Sequence, residues 1–178
     1  MPEPSSIERR AARIKLLLMD CDGVLTDGRL WILDGDDEQK SFNVRDGLGL
    51  ELWHRAGLKS GIISGRNSSA VERRALMLGI EYVRQGCDNK IKDFEELLRL
   101  AQVDESEVAF IGDDLNDIPL MRRSELAIAV ADASEDTVAT AHYVTHARGG
   151  FGAVREVIEL ILRAQGRWAD LIEGYWEG

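Results

Sequence analysis

Long apolar runs are missing from this chain of 178 residues. No stretch approaches the ~18 apolar residues that a membrane-spanning helix needs. The opening MPEPSSIERRAAR has no apolar core, so it does not read as a secretory leader. Residues 1–12 read instead as a flexible tail leading into a short helix. Cysteine is scarce, with only Cys21 and Cys87. That scarcity fits a reducing, cytoplasmic setting. Cys21 has no arginine in the residues that follow, which argues against a cysteine-nucleophile phosphate loop. Basic excess is missing too: 22 Lys and Arg face 32 Asp and Glu, for a net charge of −10. Nucleic-acid binders carry basic patches, so nucleic acid is not an expected partner. Acidity does not exclude phosphate substrates, because a bound cation reverses the sign locally.

What is present is ordinary globular material, 44% hydrophobic and 30% charged, read as one domain over residues 1–178. Apolar runs alternate with helical patterns, which predicts an α/β fold with a mainly parallel sheet. Strands are expected at about 15–20, 58–64, 81–86 and 107–114, with shorter ones at 126–130 and 142–145. Helices are expected between them: one starting at Asp46, and one over 67–79 with Asn67 as cap and Gly79 as stop. Another covers 88–102, with Ile91, Phe94, Leu97, Leu98 and Ala101 at helical spacing, and a last one covers 152–166. Residues 27–43 break the alternation. Two strand-like runs flank Asp34-Gly35-Asp36-Asp37 and read as an inserted β-hairpin. Residues 167–178 form a tail rich in tryptophan and acid.

In open parallel sheets, ligands bind beyond the carboxyl ends of the strands. The first strand ends in Asp20 and Asp22, within DCDGVLTDG. The second ends in Ser64, Gly65 and Arg66. Lys90 follows the third, and Asp113, Asp114 and Asp117 follow the fourth. Each alone reads as a turn or cap. Together, the order D-x-D, Ser-Gly, Lys, G-D-D-x-x-D points to one rim. Carboxylates gathered there repel unless a cation joins them, and Mg²⁺ with its oxygen ligands suits such a site. Asp27 reads as structural, starting the hairpin. The glycines of GGFGAVRE lack the spacing of a phosphate cradle.

These residues carry a resemblance. DCDGVLTDG, IISGR, Lys90 and IGDDLND resemble the four motifs of haloacid dehalogenase superfamily phosphatases. KSFNVRDGLGL, QGCDNK, AVADA and GGFGAVREV resemble the 3-deoxy-D-manno-octulosonate 8-phosphate phosphatases, whose product is a sugar acid of lipopolysaccharide. The likeness runs from about residue 15 to 165. It implies a doubly wound, Rossmann-like sheet with the hairpin in place of a cap domain. It implies a phosphomonoester hydrolase working through an aspartyl-phosphate. Asp20 would be the nucleophile and Asp22 the general acid and base. Ser64 and Lys90 would contact the phosphoryl group. Mg²⁺ would be held by Asp20, the Asp22 carbonyl and Asp113, with Asp114 or Asp117 joining through water. The sugar acid would meet Asp22, Asn43, Val44, Arg45, Asp46, Gly47, Gly65, Arg66, Arg74 and Lys90. The family implies a homotetramer in which a neighbour's C-terminal tail can close the site. Departures are Cys21 at a position often valine and Glu51 at one often arginine. The alternatives are a phosphatase for a nine-carbon sugar acid 9-phosphate, a receiver-like domain that holds its phosphoryl group, and a non-catalytic relative kept for assembly.

Overall fold

The computed structural model describes residues 5–32 and 38–176. Along the chain run α1 (Ser6–Ala11), β1 (Leu16–Met19), β2 (Trp31–Ile32), β3 (Glu38–Gln39), α2 (Val44–Arg55) and β4 (Lys59–Ile63). Then come α3 (Ser69–Leu78), β5 (Tyr82–Arg84), α4 (Lys90–Ala101), β6 (Val108–Gly112), α5 (Ile118–Met121) and β7 (Leu126–Ala129). The chain finishes with α6 (Glu135–Thr140), β8 (Tyr143–Val144), α7 (Ala153–Ala164) and α8 (Trp168–Ile172).

Six strands form one sheet in the order β5-β4-β1-β6-β7-β8, and every pairing in it is parallel. From central β1 the chain winds outward through β4 and β5. It then returns to the other side of β1 and winds outward through β6, β7 and β8. That reversal puts the switch point of a doubly wound sheet beside the carboxyl end of β1. The unbroken LLLM of β1 follows from its position, because a strand covered on both faces has no polar side. Leu17 and Met19 enter the core shared with α1, α2 and α7. Leu16 and Leu18 enter the core shared with α4 and α5. Each such fully buried side chain contributes about 1.5–3 kcal/mol.

Helix α4 buries Phe94, Leu97, Leu98 and Ala101 and leaves Ile91 at its edge. Helix α7 buries Val154, Val157, Ile158, Ile161 and Leu162 and lies along α2. Two helix starts differ from expectation. Helix α2 begins at Val44 rather than Asp46, because the Asn43 Oδ1 accepts the Arg45 N–H at 2.8 Å and caps it. Ser68, not Asn67, holds the cap position of α3, and its N–H donates to Gln85 Oε1 at 2.9 Å. Gly79 ends α3 with φ +69°.

Within residues 1–12, Ser5 and Glu8 form a reciprocal capping box at the start of α1. Gln165 Nε2 bonds Ala11 O at 3.2 Å and Ile14 O at 2.8 Å, joining that end of the chain to the turn after α7. At the other end, α8 folds back on its own chain. Trp168 is buried between the Arg155 and Arg163 guanidiniums, 5.1 and 5.0 Å from its ring. Strands β2 and β3 pair antiparallel as a separate hairpin, with Ile32 opposite Glu38. Its expected turn at Asp34-Gly35-Asp36-Asp37 lies outside the described residues. No helix among the described residues is long and apolar enough to cross a membrane.

Candidate active site

Strand β1 ends where the Asp20 N–H donates to Ile111 O at 3.0 Å. The chain then curls around one carbonyl: the N–H groups of Val24, Leu25 and Thr26 all donate to Cys21 O, at 3.3, 3.0 and 3.1 Å. Thr26 Oγ1 accepts from the Gly23 and Gly28 N–H groups at 3.4 and 3.3 Å. Gly23 sits at φ +91°, and a Cβ there would lie 2.0 Å from Asp113 Oδ2. Glycine is therefore what lets β6 bring its aspartate against this loop. The GGFG stretch backs the loop from behind. A Cβ on Gly149 would lie 1.6 Å from Gly23 O, and the Gly150 N–H donates to Val24 O at 2.9 Å.

The parallel register sets Met19 beside Ile62 of β4 and Ile111 of β6. Ser64 and Asp113 thus stand just past the sheet on either side of Asp20. Lys90, the first residue of α4, reaches in with Nζ 2.9 Å from Asp20 Oδ1 and 2.7 Å from Asp117 Oδ1. All three side chains are at least nine-tenths buried. The other Asp117 oxygen accepts the Asp113 N–H at 3.1 Å. Carboxylate oxygens of Asp20, Asp113 and Asp117 lie within 4.8 Å of one another.

That crowding has an electrostatic consequence. Burial, then Asp117 and Asp20, push Asp113 up to about 8. Burial and Asp117 push Asp20 up to about 6 against the pull of Lys90. Burial opposes the charge on Lys90, but Asp117 and Asp20 outweigh it and raise its pKa. The cluster is thus a set of hard oxygen donors short of positive charge, which fits a divalent cation such as Mg²⁺. Cys21 offers no competing soft ligand, because it is wholly buried and burial holds its thiol protonated. Asp114 turns away: it is exposed, and its Oδ1 accepts the Leu115 N–H at 2.8 Å.

Asp22 lies on the hairpin side of the rim. Its Oδ1 meets Lys40 Nζ, and its Oδ2 is 3.7 Å from Arg66 Nε. Glu38 touches both cations, at 3.0 Å from Lys40 Nζ and 2.8 Å from Arg66 Nη2. The Arg66 bond, assisted by Lys40, holds Glu38 down at about 2. Ser64 is buried, with its Oγ accepting the Arg66 N–H at 3.3 Å. Gly65 is not crowded: a Cβ there would meet nothing nearer than Cys87 O, at 3.9 Å.

The 43–47 segment is divided by the start of α2. Asn43 Nδ2 donates to Gly150 O at 3.2 Å, tying the helix start to the loop behind the aspartates. Val44 is 80% exposed. Arg45 lines a cavity of about 460 Å³ with Phe151, Arg155 and Glu156. Asp46 is buried and accepts the Arg155 N–H at 2.8 Å, so its carboxylate caps α7. Gly47 makes room for Arg74, whose Nη2 would be 2.6 Å from a Cβ there. The Arg74 guanidinium lies 5.8 Å from the Phe42 ring centroid, and its buried Nε has no hydrogen-bond partner among the described residues.

Comparison with known proteins places the chain as a whole. Residues 74–158 match the model of haloacid dehalogenase-like hydrolases. Over 173 residues the chain is 44% identical to 3-deoxy-D-manno-octulosonate 8-phosphate phosphatase KdsC of Yersinia pestis, covering 97% of this chain and 90% of that protein. The chain belongs to the 3-deoxy-D-manno-octulosonate 8-phosphate phosphatase family. A probable YrbI family phosphatase from Pseudomonas syringae pv. phaseolica superposes with a TM-score of 0.94 at 44% identity, covering 97% of this chain and 98% of that one. The family enzyme of Moraxella catarrhalis, solved with a magnesium ion, a phosphate ion and a KDO molecule, superposes with a TM-score of 0.93 at 40% identity. That match covers 97% of this chain and 99% of that one.

Sequence reasoning for this family member missed Lys40, Glu38, Thr26 and the steric need for Gly23. A period-two signal was available for one pair, since Glu38 and Lys40 are two apart in extended chain and share a side. Their meeting with Asp22 depends on how the hairpin folds back, which no local pattern carries.

Proposed function

We propose that this chain is a Mg²⁺-dependent phosphomonoester hydrolase that converts 3-deoxy-D-manno-octulosonate 8-phosphate to the free sugar acid and phosphate, in lipopolysaccharide precursor synthesis. The observation that carries this reading is the convergence of Asp20, Lys90, Asp113 and Asp117 on the carboxyl end of the central strand. A cation held by Asp20, Asp113 and the Asp22 carbonyl, with Asp117 beside it, would neutralise phosphoryl charge.

A free Asp20 oxygen attacks phosphorus, and the bond from phosphorus to the sugar oxygen breaks. Asp22 gives its proton to that oxygen, so the sugar leaves as an alcohol and Asp20 carries the phosphoryl group. Asp22, now a carboxylate, takes a proton from water as the water oxygen attacks phosphorus. Inorganic phosphate leaves, and both aspartates return to their starting forms. Lys90 and the Ser64 hydroxyl bind the phosphoryl oxygens as charge shifts among them. Arg66 and Arg74 bind the sugar-acid carboxylate, with the 43–47 segment along that side. The half-exposed Arg66 guanidinium can turn from Asp22 to the substrate, and a planar fork matches a carboxylate.

We infer a homotetramer, supported by the exposed Leu30, Trp31 and Ile32 of the hairpin. The free thiols of Cys21 and Cys87 support a cytoplasmic enzyme. Parallel kinetics with Mg²⁺ on eight-carbon and nine-carbon sugar-acid phosphates test the substrate. The eight-carbon compound should have the higher kcat/KM, and the reverse order would sink this assignment.

A further inference from the structure

Asp22 needs something to hold it, and two cations compete for that role. Arg66 approaches Oδ2 at 3.7 Å and is half exposed. An ion pair so long and so open to water contributes little. Lys40 approaches Oδ1 directly, and its side chain has no exposed surface. An enclosed ammonium cannot fall back on water, so it must keep its carboxylate partners. Glu38, 3.0 Å from the same ammonium, is the second of them. Lys40 directly follows β3, so the hairpin itself delivers this cation to the rim.

We propose that Lys40 is a positioning residue for Asp22, its ammonium fixing where the acid and base carboxylate sits relative to Asp20. This rests on the phosphatase reading above. When Asp22 is a carboxylate, before it takes up the proton it delivers in catalysis, four charges close a ring: Asp22, Lys40, Glu38 and Arg66 alternate in sign, each within 4.0 Å of the next. The ring divides its labour by exposure. Glu38 holds the buried Lys40 on one oxygen and the half-exposed Arg66 on the other, so Arg66 can be drawn to a substrate anion while Lys40 keeps its grip on Asp22. The insert is thereby part of the catalytic apparatus, because it fixes a group that moves protons.

The competing explanation is that Lys40 only staples the hairpin to the sheet. A double-mutant cycle on the full chain separates the two, using phosphate release from 3-deoxy-D-manno-octulosonate 8-phosphate with Mg²⁺. Lys40→Met should lower kcat ~10–100-fold while KM stays within ~3-fold, since a misplaced proton-transfer group costs rate rather than binding. In an Asp22→Asn background the same Lys40→Met change should alter kcat by less than ~2-fold, because the group it positions is gone. Equal losses in both backgrounds overturn the proposal, and a variant that fails to fold gives that result. An unchanged kcat, or a raised KM with kcat kept, also overturns it. A wild-type chain that releases no phosphate refutes the phosphatase reading itself, and the role of Lys40 with it.

Discussion

Raising the pH from about 6 to about 8 is expected to tighten Mg²⁺ binding by up to ~100-fold, because two carboxyls of the cluster lose their protons across that range. Without a cation, burial, Asp117 and Asp20 hold Asp113 at about 8, and burial and Asp117 hold Asp20 at about 6. A divalent cation takes both as carboxylates, so binding expels any proton either still carries. Between the two values about one proton leaves per cation bound, which is roughly one decade of affinity per pH unit. Across the window that is about 2.7 kcal/mol, at 1.36 kcal/mol per decade. The metal-free fold should show the opposite slope. Both pKa values are raised, so the folded state binds these protons more tightly than the unfolded chain, whose carboxyls titrate near ~4. The stability they contribute is complete below ~4 and is lost as pH rises through about 6 and then about 8. Calorimetric titration of Mg²⁺ at several pH values measures the first slope. Thermal unfolding in chelator and in excess Mg²⁺ measures the second. For a chain of this size, 2.7 kcal/mol of added cation stabilisation corresponds to ~5–11 °C in Tm. Equal Mg²⁺ affinity at both ends of the window would refute the reading of Asp20, Asp113 and Asp117 as a cation site.

Lys90→Met should destabilise the metal-free protein by ~3 kcal/mol at pH 8, because it leaves two buried carboxylates without their cation; an unchanged urea midpoint would contradict this. Gly23→Ala should cost ~1–2 kcal/mol in backbone strain. It should also lower kcat ~100-fold by displacing Asp113, so a fully active variant would show that the Gly23–Asp113 approach does not matter. Asp46→Ala should lower stability by ~1 kcal/mol through loss of the cap on α7, and an unshifted melting curve would remove that role.

Much of the scaffold was legible because parallel sheets write themselves plainly. Leu16 to Met19 read as a buried strand because both faces are covered, and residues past buried strands in such sheets share one rim. Asp20, Ser64, Lys90 and Asp113 could therefore be assigned to one rim from strand ends alone. The limits are equally physical. The start of α2 was misjudged by two residues because Asn43 was not recognised as a cap. Asp46 caps a helix 109 residues away, and that pairing exists only once α2 and α7 lie together. Lys40 was not singled out in the sequence; its enclosed side chain meets Asp22 and Glu38 only once the hairpin has folded back on the rim. Asp114 and Asp117 were indistinguishable in GDDLND until the turn after β6 buried one and exposed the other.

The proposed role of Asp20 as nucleophile makes a direct demand. Rapid-quench peptide mass spectrometry of the enzyme turning over 3-deoxy-D-manno-octulosonate 8-phosphate with Mg²⁺ should find a transient phosphoryl group on Asp20. Asp20→Asn should show neither that species nor multiple turnovers. Phosphate release by Asp20→Asn at the wild-type rate, or a phosphoryl group on any other residue, would contradict the mechanism at its centre.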